Sequence, residues 1–145
     1  MDQPTPSYAE LMTRFRAAYH TIDGAALRSL LAPDFEWHLD WFAADEPIPT
    51  GKVLHGPDGM IAELERRKRV WSNLRYRDLK ERFLPDFVVQ TFFVSGTDQD
   101  AGSFDVAAVD LYSLKNDLIW RKDTYWKRSR PAARAAPVSV NQKSR

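Results

Sequence analysis

The chain has 145 residues, 43% of them hydrophobic and 28% charged, which fits one globular domain with a buried core. Its 21 basic and 20 acidic side chains leave a formal net charge of +1, too little to recruit nucleic acid or an anionic membrane by its field. The absence of cysteine excludes disulfides, thiolate catalysis and zinc–thiolate sites, and the histidines His20, His38 and His55 share no ligand spacing, so no metal site is expected.

The first segment has no basic region followed by an apolar run, and no apolar stretch approaches membrane-spanning length. A cytoplasmic location is the expectation. Residues 1–6 read as a short arm. Ser7 is a helix N-cap with Glu10 as its capping-box partner, and Leu11, Phe15, Ala18, Tyr19 and Ile22 recur at helical spacing. Asp23 reads as the next N-cap, opening a short helix through Ala26, Leu27, Leu30 and Leu31 that stops near Pro33.

From Phe35 to Trp41 the period becomes two. Phe35, Trp37, Leu39 and Trp41 make an apolar face, and Glu36, His38 and Asp40 a polar one. A loop with Pro47, Pro49 and Gly51 follows. Gly56, Pro57 and Asp58 start a third helix, with Met60, Ile61, Leu64 and Val70 on its apolar side and Glu63 paired with Arg67 on its solvent side. Residues 73–84, rich in charge, read as a strand at the sheet's rim. Residues 87–95, 103–114 and 118–126 read as further strands, with a turn at Pro85-Asp86, a loop over 96–102 and a hairpin turn at Asn116-Asp117. Beyond Lys127 the composition turns basic and Pro/Ala-rich, so residues 128–145 read as a flexible tail outside the domain of residues 7–127.

Helix, helix, strand, helix and then a run of antiparallel strands is a distinctive order. It is carried by the helix pair ending Leu30-Leu31-Ala32-Pro33-Asp34-Phe35, by the Gly56-Pro57 helix start, and by the hairpin from Val109 to Ile119. With these segments the chain resembles the SnoaL-like branch of the nuclear transport factor 2-like fold over residues 7–127. The resemblance implies an α+β, cystatin-like cone, with a strongly curved, mainly antiparallel sheet and three helices around a pocket. It also implies pairing into a homodimer through the outer sheet face. The family's usual hairpin has glycine where this chain has Asp117 and lysine where it has Leu118. Its members include steroid isomerases, epoxide hydrolases, dehydratases, polyketide cyclases and non-catalytic binders, so fold leaves function open.

The family chemistries separate residue by residue. The isomerase base falls on Leu39, which cannot take a proton, and its tyrosine donor falls on Phe15. Only its acidic donor is kept, as Asp110 in Val109-Asp110-Leu111-Tyr112. The epoxide hydrolase arrangement needs charged groups that residues 88–94 lack, and its water-holding positions fall on Trp37 and Leu39. A cyclase-like aspartate on the last strand depends on register. One register turns Trp120, Lys122, Thr124 and Trp126 inward, and the other presents Asp123.

Asp110 and Lys122 therefore make the candidate catalytic pair, with Asp123 the register alternative. Burial among apolar walls would shift their proton affinities and suit them to proton transfer; a structural ion pair, or a lysine snorkelling outward, is the bland alternative. The expected pocket wall comprises Phe15, Tyr19, Trp37, Leu39, Trp41, His55, Phe92, Tyr112, Trp120 and Thr124. A cavity of ~300 Å³ or more is expected around them. Each aromatic among them has core packing as its ordinary reading. His38 falls on the polar strand face, and the run from Glu65 to Arg69 reads as a solvated helix face. The expected ligand is a small apolar or aromatic molecule, polyketide- or steroid-like, undergoing isomerisation, cyclisation or dehydration without a cofactor. The rival reading is a non-catalytic binding or assembly domain.

Overall fold

The computed structural model describes residues 8–40 and 51–128. Ser7, Trp41 and the basic tail lie outside the described residues. Helix α1 (Tyr8–Thr21) buries Leu11, Met12, Phe15 and Ala18, one stripe at helical spacing. Asp23 caps α2 (Gly24–Leu30) by accepting from the Ala26 backbone N–H at 3.1 Å.

Strand β1 (Leu31–Asp40) begins at once, four residues ahead of the expected Phe35. Pro33 is accommodated because the pairing shifts register between Leu31 and Glu36, where no ladder hydrogen bond is demanded of it. Beyond the irregularity the alternation holds: Phe35, Trp37 and Leu39 are buried, while Glu36 and His38 remain partly exposed. Part of the expected loop is strand β2 (Lys52–His55), paired antiparallel with β1. At four residues it carries no full period for sequence to reveal.

Helix α3 (Gly56–Val70) starts at the Gly-Pro signal, with Gly56 at φ +74°. Its Glu63–Arg67 pair is not on the solvent side. Both residues are buried, and the Arg67 guanidinium lies 4.8 Å from the Trp37 ring centre and 4.7 Å from that of Trp71. The expectation failed because aromatic faces can hold a guanidinium out of water, which a pattern of charged letters does not reveal.

Strands β3 (Trp71–Leu84), β4 (Phe87–Asp98), β5 (Gly102–Lys115) and β6 (Leu118–Arg128) complete one curved six-stranded sheet ordered β2-β1-β6-β5-β4-β3. Among the described residues only the β1–β6 pair is parallel. The charged β3 lies on the rim, as expected, with register breaks next to the positive-φ residues Asn73 and Asp78 that blunt it as a pairing edge. Asn116 and Asp117 both take positive φ, 54° and 60°, which the tight β5–β6 hairpin requires. The core joins α1, α2 and α3 to the sheet through Leu11, Phe15, Leu27, Trp37, Met60 and Ile119. Each such burial contributes about 1.5–3 kcal/mol.

One irregularity decides the site. In the β5–β6 ladder Ser113 opposes Arg121 and Leu114 opposes Ile119, so Trp120 has no opposite number. This bulge makes Ile119 and Lys122, three apart, both buried, and leaves Trp120 exposed. The expected inward Trp120 is thereby corrected: an extra residue breaks the strict alternation on which that reading relied.

Candidate functional site

The register aligns two rows across the sheet. Leu39, Thr124, Asp110, Gln90 and Glu81 follow one another on β1, β6, β5, β4 and β3, and beside them run Trp37, Lys122, Tyr112, Val88 and Phe83. The first row carries a connected polar stripe. Thr124 donates to Asp110 Oδ1 at 2.7 Å and accepts from the Trp37 indole at 2.8 Å. The Tyr112 hydroxyl lies 3.4 Å from both Gln90 Oε1 and Asp110 Oδ2. Gln90 donates to Glu81 at 2.9 Å, and Arg16 of α1 closes the stripe by pairing with Glu81. The donors converging on Asp110 define a carboxylate acting as acceptor.

Lys122 stands beside this stripe at 2% exposure, its Nζ 3.8 Å from Asp110 Oδ2. Aromatic rings enclose the ammonium, with centres 4.2 Å away for Tyr19, 4.3 Å for Trp37, 5.4 Å for Tyr112 and 5.8 Å for Phe15. Burial lowers the Lys122 pKa to about 8, partly offset by the Asp110 charge, with Arg67 lowering it further. Burial likewise pushes the Tyr19 phenol up to about 12 and the Tyr112 phenol well above its usual range. Both therefore stay neutral hydroxyls near pH 7.

The pair borders a cavity of about 70 Å³ between α1 and the sheet. Phe15, Arg16, Tyr19, His20, Tyr76, Leu79, Gln90, Phe92, Asp110, Tyr112 and Lys122 surround it. Tyr76 and Leu79 are exposed and form part of its rim. The volume is well below the expected ~300 Å³ and fits a small ligand, or one end of a larger one.

Among the residues expected to line the pocket, Phe15, Tyr19, Phe92 and Tyr112 are brought together there with Asp110 and Lys122. Trp37 is fully buried and faces Lys122 and Arg67 in place of the cavity. Leu39 is core, and Thr124 backs Asp110 from behind. Trp120 is exposed on account of the bulge. His55 ends β2 with its side chain exposed, 3.9 Å from Glu36. The alternative Asp123 accepts two hydrogen bonds from Arg121 at 2.8 and 2.9 Å, away from the cavity. His38 bonds Glu36 at 2.9 Å.

Sequence reasoning missed Arg16, His20, Tyr76, Leu79 and Gln90. Gln90 was recoverable: Val88, Gln90, Phe92 and Val94 share one strand face, on which an amide is the odd member. Tyr76 and Leu79 were not, because β3 changes register between Arg77 and Lys80. Among the described residues no cluster of three or more histidine or acidic side chains could hold a metal ion.

An α+β domain with a curved sheet and a small cavity inside, walled by aromatics and floored by a buried carboxylate–amine pair, is the class of protein that this fold and site define. The SnoaL-like domain model matches residues 12–122, and the chain belongs to that family. No curated protein matches the chain. Similar solved structures share the nuclear transport factor 2-like fold. A nuclear transport factor 2-like protein from Burkholderia xenovorans aligns with TM-score 0.72 at 16% identity, over 87% of this chain and 93% of that one. A hypothetical protein of ketosteroid isomerase-like fold from Catenulispora acidiphila, in complex with trimethylamine, aligns with TM-score 0.63 at 20% identity, over 84% and 86%. TsrD from Streptomyces laurentii aligns with TM-score 0.62 at 21% identity, over 86% and 91%. At these identities the likeness concerns the fold.

Proposed function

We propose that the chain binds a small, mostly apolar molecule between α1 and the sheet and moves a proton on it, with Asp110 and Lys122 as the exchanging groups. The observation that carries this reading is the pair itself: a carboxylate and an amine, both at least 95% buried by side chain, 3.8 Å apart at the edge of an apolar cavity. A lysine held at about pKa 8 exchanges protons near physiological pH, which an exposed lysine does poorly. Asp110, which accepts from Thr124 and lies beside the Tyr112 hydroxyl, is the acceptor of the pair and serves as the base, with Lys122 the acid. Isomerisation, cyclisation or dehydration of a small carbon acid fits this pair without a cofactor.

The test is solvent-deuterium exchange into nitroethane, a small carbon acid that forms no imine. Wild-type protein accelerates the exchange, and Asp110→Asn abolishes the acceleration. Exchange at the uncatalysed rate with wild type contradicts the reading.

A second reading, passive binding, is favoured by the small volume and by the fact that the aromatic box is already occupied by the chain's own ammonium. It predicts ligands that raise the melting temperature equally in wild type and Asp110→Asn, with no exchange.

The outer sheet face supports a homodimer. Val89, Phe93, Val109 and Leu111 lie together on it by register, with Phe93 41% exposed. Phe93→Lys with Val109→Lys is expected to halve the mass seen by light scattering while leaving the fold intact. An unchanged mass would contradict dimerisation through this face. The cysteine-free composition fits a cytoplasmic location, and no helix among the described residues is long and apolar enough to cross a membrane.

A further inference from the structure

We propose that Lys122 is also a nucleophile, condensing with a small aldehyde or ketone in the cavity to form an iminium while Asp110 carries the protons. This deepens the acid–base reading of the same pair and rests on it.

The geometry of the amine separates it from a structural ion pair. A buried pair kept for stability brings nitrogen and oxygen into hydrogen-bond contact, because desolvation is otherwise uncompensated. Here the Lys122 Nζ stands 3.8 Å from Asp110, whose other oxygen is already satisfied by Thr124 at 2.7 Å. The amine is held chiefly by the ring faces of Tyr19 and Trp37. Such faces attract the ammonium without engaging a nitrogen lone pair, so the neutral amine keeps that pair available.

The position is also built rather than incidental. The bulge at Trp120 turns Lys122 inward, and Lys122 then borders the cavity. Apolar walls from Phe15, Leu79 and Phe92 suit the carbon part of a short carbonyl compound. The volume of about 70 Å³ holds only a few heavy atoms. A lysine desolvated in such a pocket is the ordinary way a protein prepares an amine for carbonyl addition.

The step balances without any other reactant. Asp110 takes a proton from the Lys122 ammonium, and the freed nitrogen pair forms a C–N bond to the carbonyl carbon while the C=O π pair moves to oxygen. Proton transfer from nitrogen to that oxygen gives a neutral carbinolamine. Its C–O bond then breaks as Asp110 returns its proton, releasing water and leaving a C=N iminium on Lys122. One carbonyl and one ammonium become one iminium and one water, with charge conserved and no redox change.

The experiment treats the full chain with propanal and sodium cyanoborohydride near neutral pH and maps propylated lysines by peptide mass spectrometry. Each unit by which an amine's pKa falls multiplies its neutral fraction by about ten. Lys122 is therefore expected to be labelled at least about tenfold faster than the exposed Lys52, Lys80 and Lys127. Lys122→Arg removes that adduct while leaving the slow surface ones. Lys122 labelled no faster than the surface lysines in wild type overturns the proposal, and that comparison needs no variant to fold. If nitroethane exchange is catalysed but no Lys122 adduct forms, imine formation alone is overturned. If both are absent, the acid–base reading falls with it.

Discussion

Thr124 is the hinge of the site at the scale of single residues. Its hydroxyl bridges the Trp37 indole and the Asp110 carboxylate, so it orients both the aromatic ring behind Lys122 and the carboxylate beside it. Thr124→Val keeps the shape and strands two buried polar groups, which costs about 1–3 kcal/mol and is read as a lower midpoint in urea. Lys122 predicts a pH dependence whose sign follows from its lowered pKa. Below pH 8 the folded chain holds a charged lysine at a penalty; between about pH 8 and 10 the unfolded chain keeps a proton that the folded chain has lost. Stability therefore rises with pH in this window, by about 1–2 kcal/mol between pH 8 and 9.5 relative to Lys122→Met. Above pH 10 the raised phenols of Tyr19 and Tyr112 reverse the slope, because the unfolded tyrosines ionise first. Urea unfolding at stepped pH checks this, and a wild-type curve parallel to that of the variant would contradict it. Asp110 was legible through the resemblance, as the position of the isomerase's acidic donor, and Lys122 through the register of the last strand that turns it inward. Trp37 was misjudged as a ligand wall: its burial was readable, but its partners, Lys122, Arg67 and Thr124, come from other elements.

At the scale of elements, α3 and the β5–β6 hairpin show what periodicity carries and what it does not. The helices follow from apolar spacing and from Asp23 and Gly56-Pro57 at their starts. The short β2 and the early start of β1 were hidden, since their pairing is set by β1's neighbours and by a bulge next to Pro33. Glu63 on α3 accounts for the buried Arg67, accepting from its Nε at 2.8 Å while Arg67 also donates to Tyr19. Glu63→Ala removes the carboxylate from that buried guanidinium and is expected to destabilise by about 3 kcal/mol, seen in thermal unfolding. At the hairpin, Asp117 takes a positive φ that costs a side-chain-bearing residue energy. Asp117→Gly relieves it and is expected to stabilise by about 0.5–1 kcal/mol, with the midpoint moving up and no change in ligand binding.

Across the whole molecule, the order of elements was enough to place the chain in its fold, because a curved sheet with three helices on one side leaves few ways to bury these stripes. The site was less legible for a physical reason. Its members lie on five elements, α1 and β3 to β6, and depend on two register breaks, so no local pattern contains it. Where catalytic relatives place a base on the first strand, this chain has Leu39, and the polar groups stand across the sheet on β4, β5 and β6. Lys122 is a buried amine tuned by its surroundings and by Asp110. The most direct test of this tuning is a pH titration of the full chain by NMR with carbon-13 in the lysine side chains. The Lys122 resonance is predicted to titrate with a midpoint of about 8, and lower still in Asp110→Asn, which removes a charge that raises it. A midpoint at the ordinary 10.5, unmoved by Asp110→Asn, would show that neither burial nor Asp110 tunes this amine.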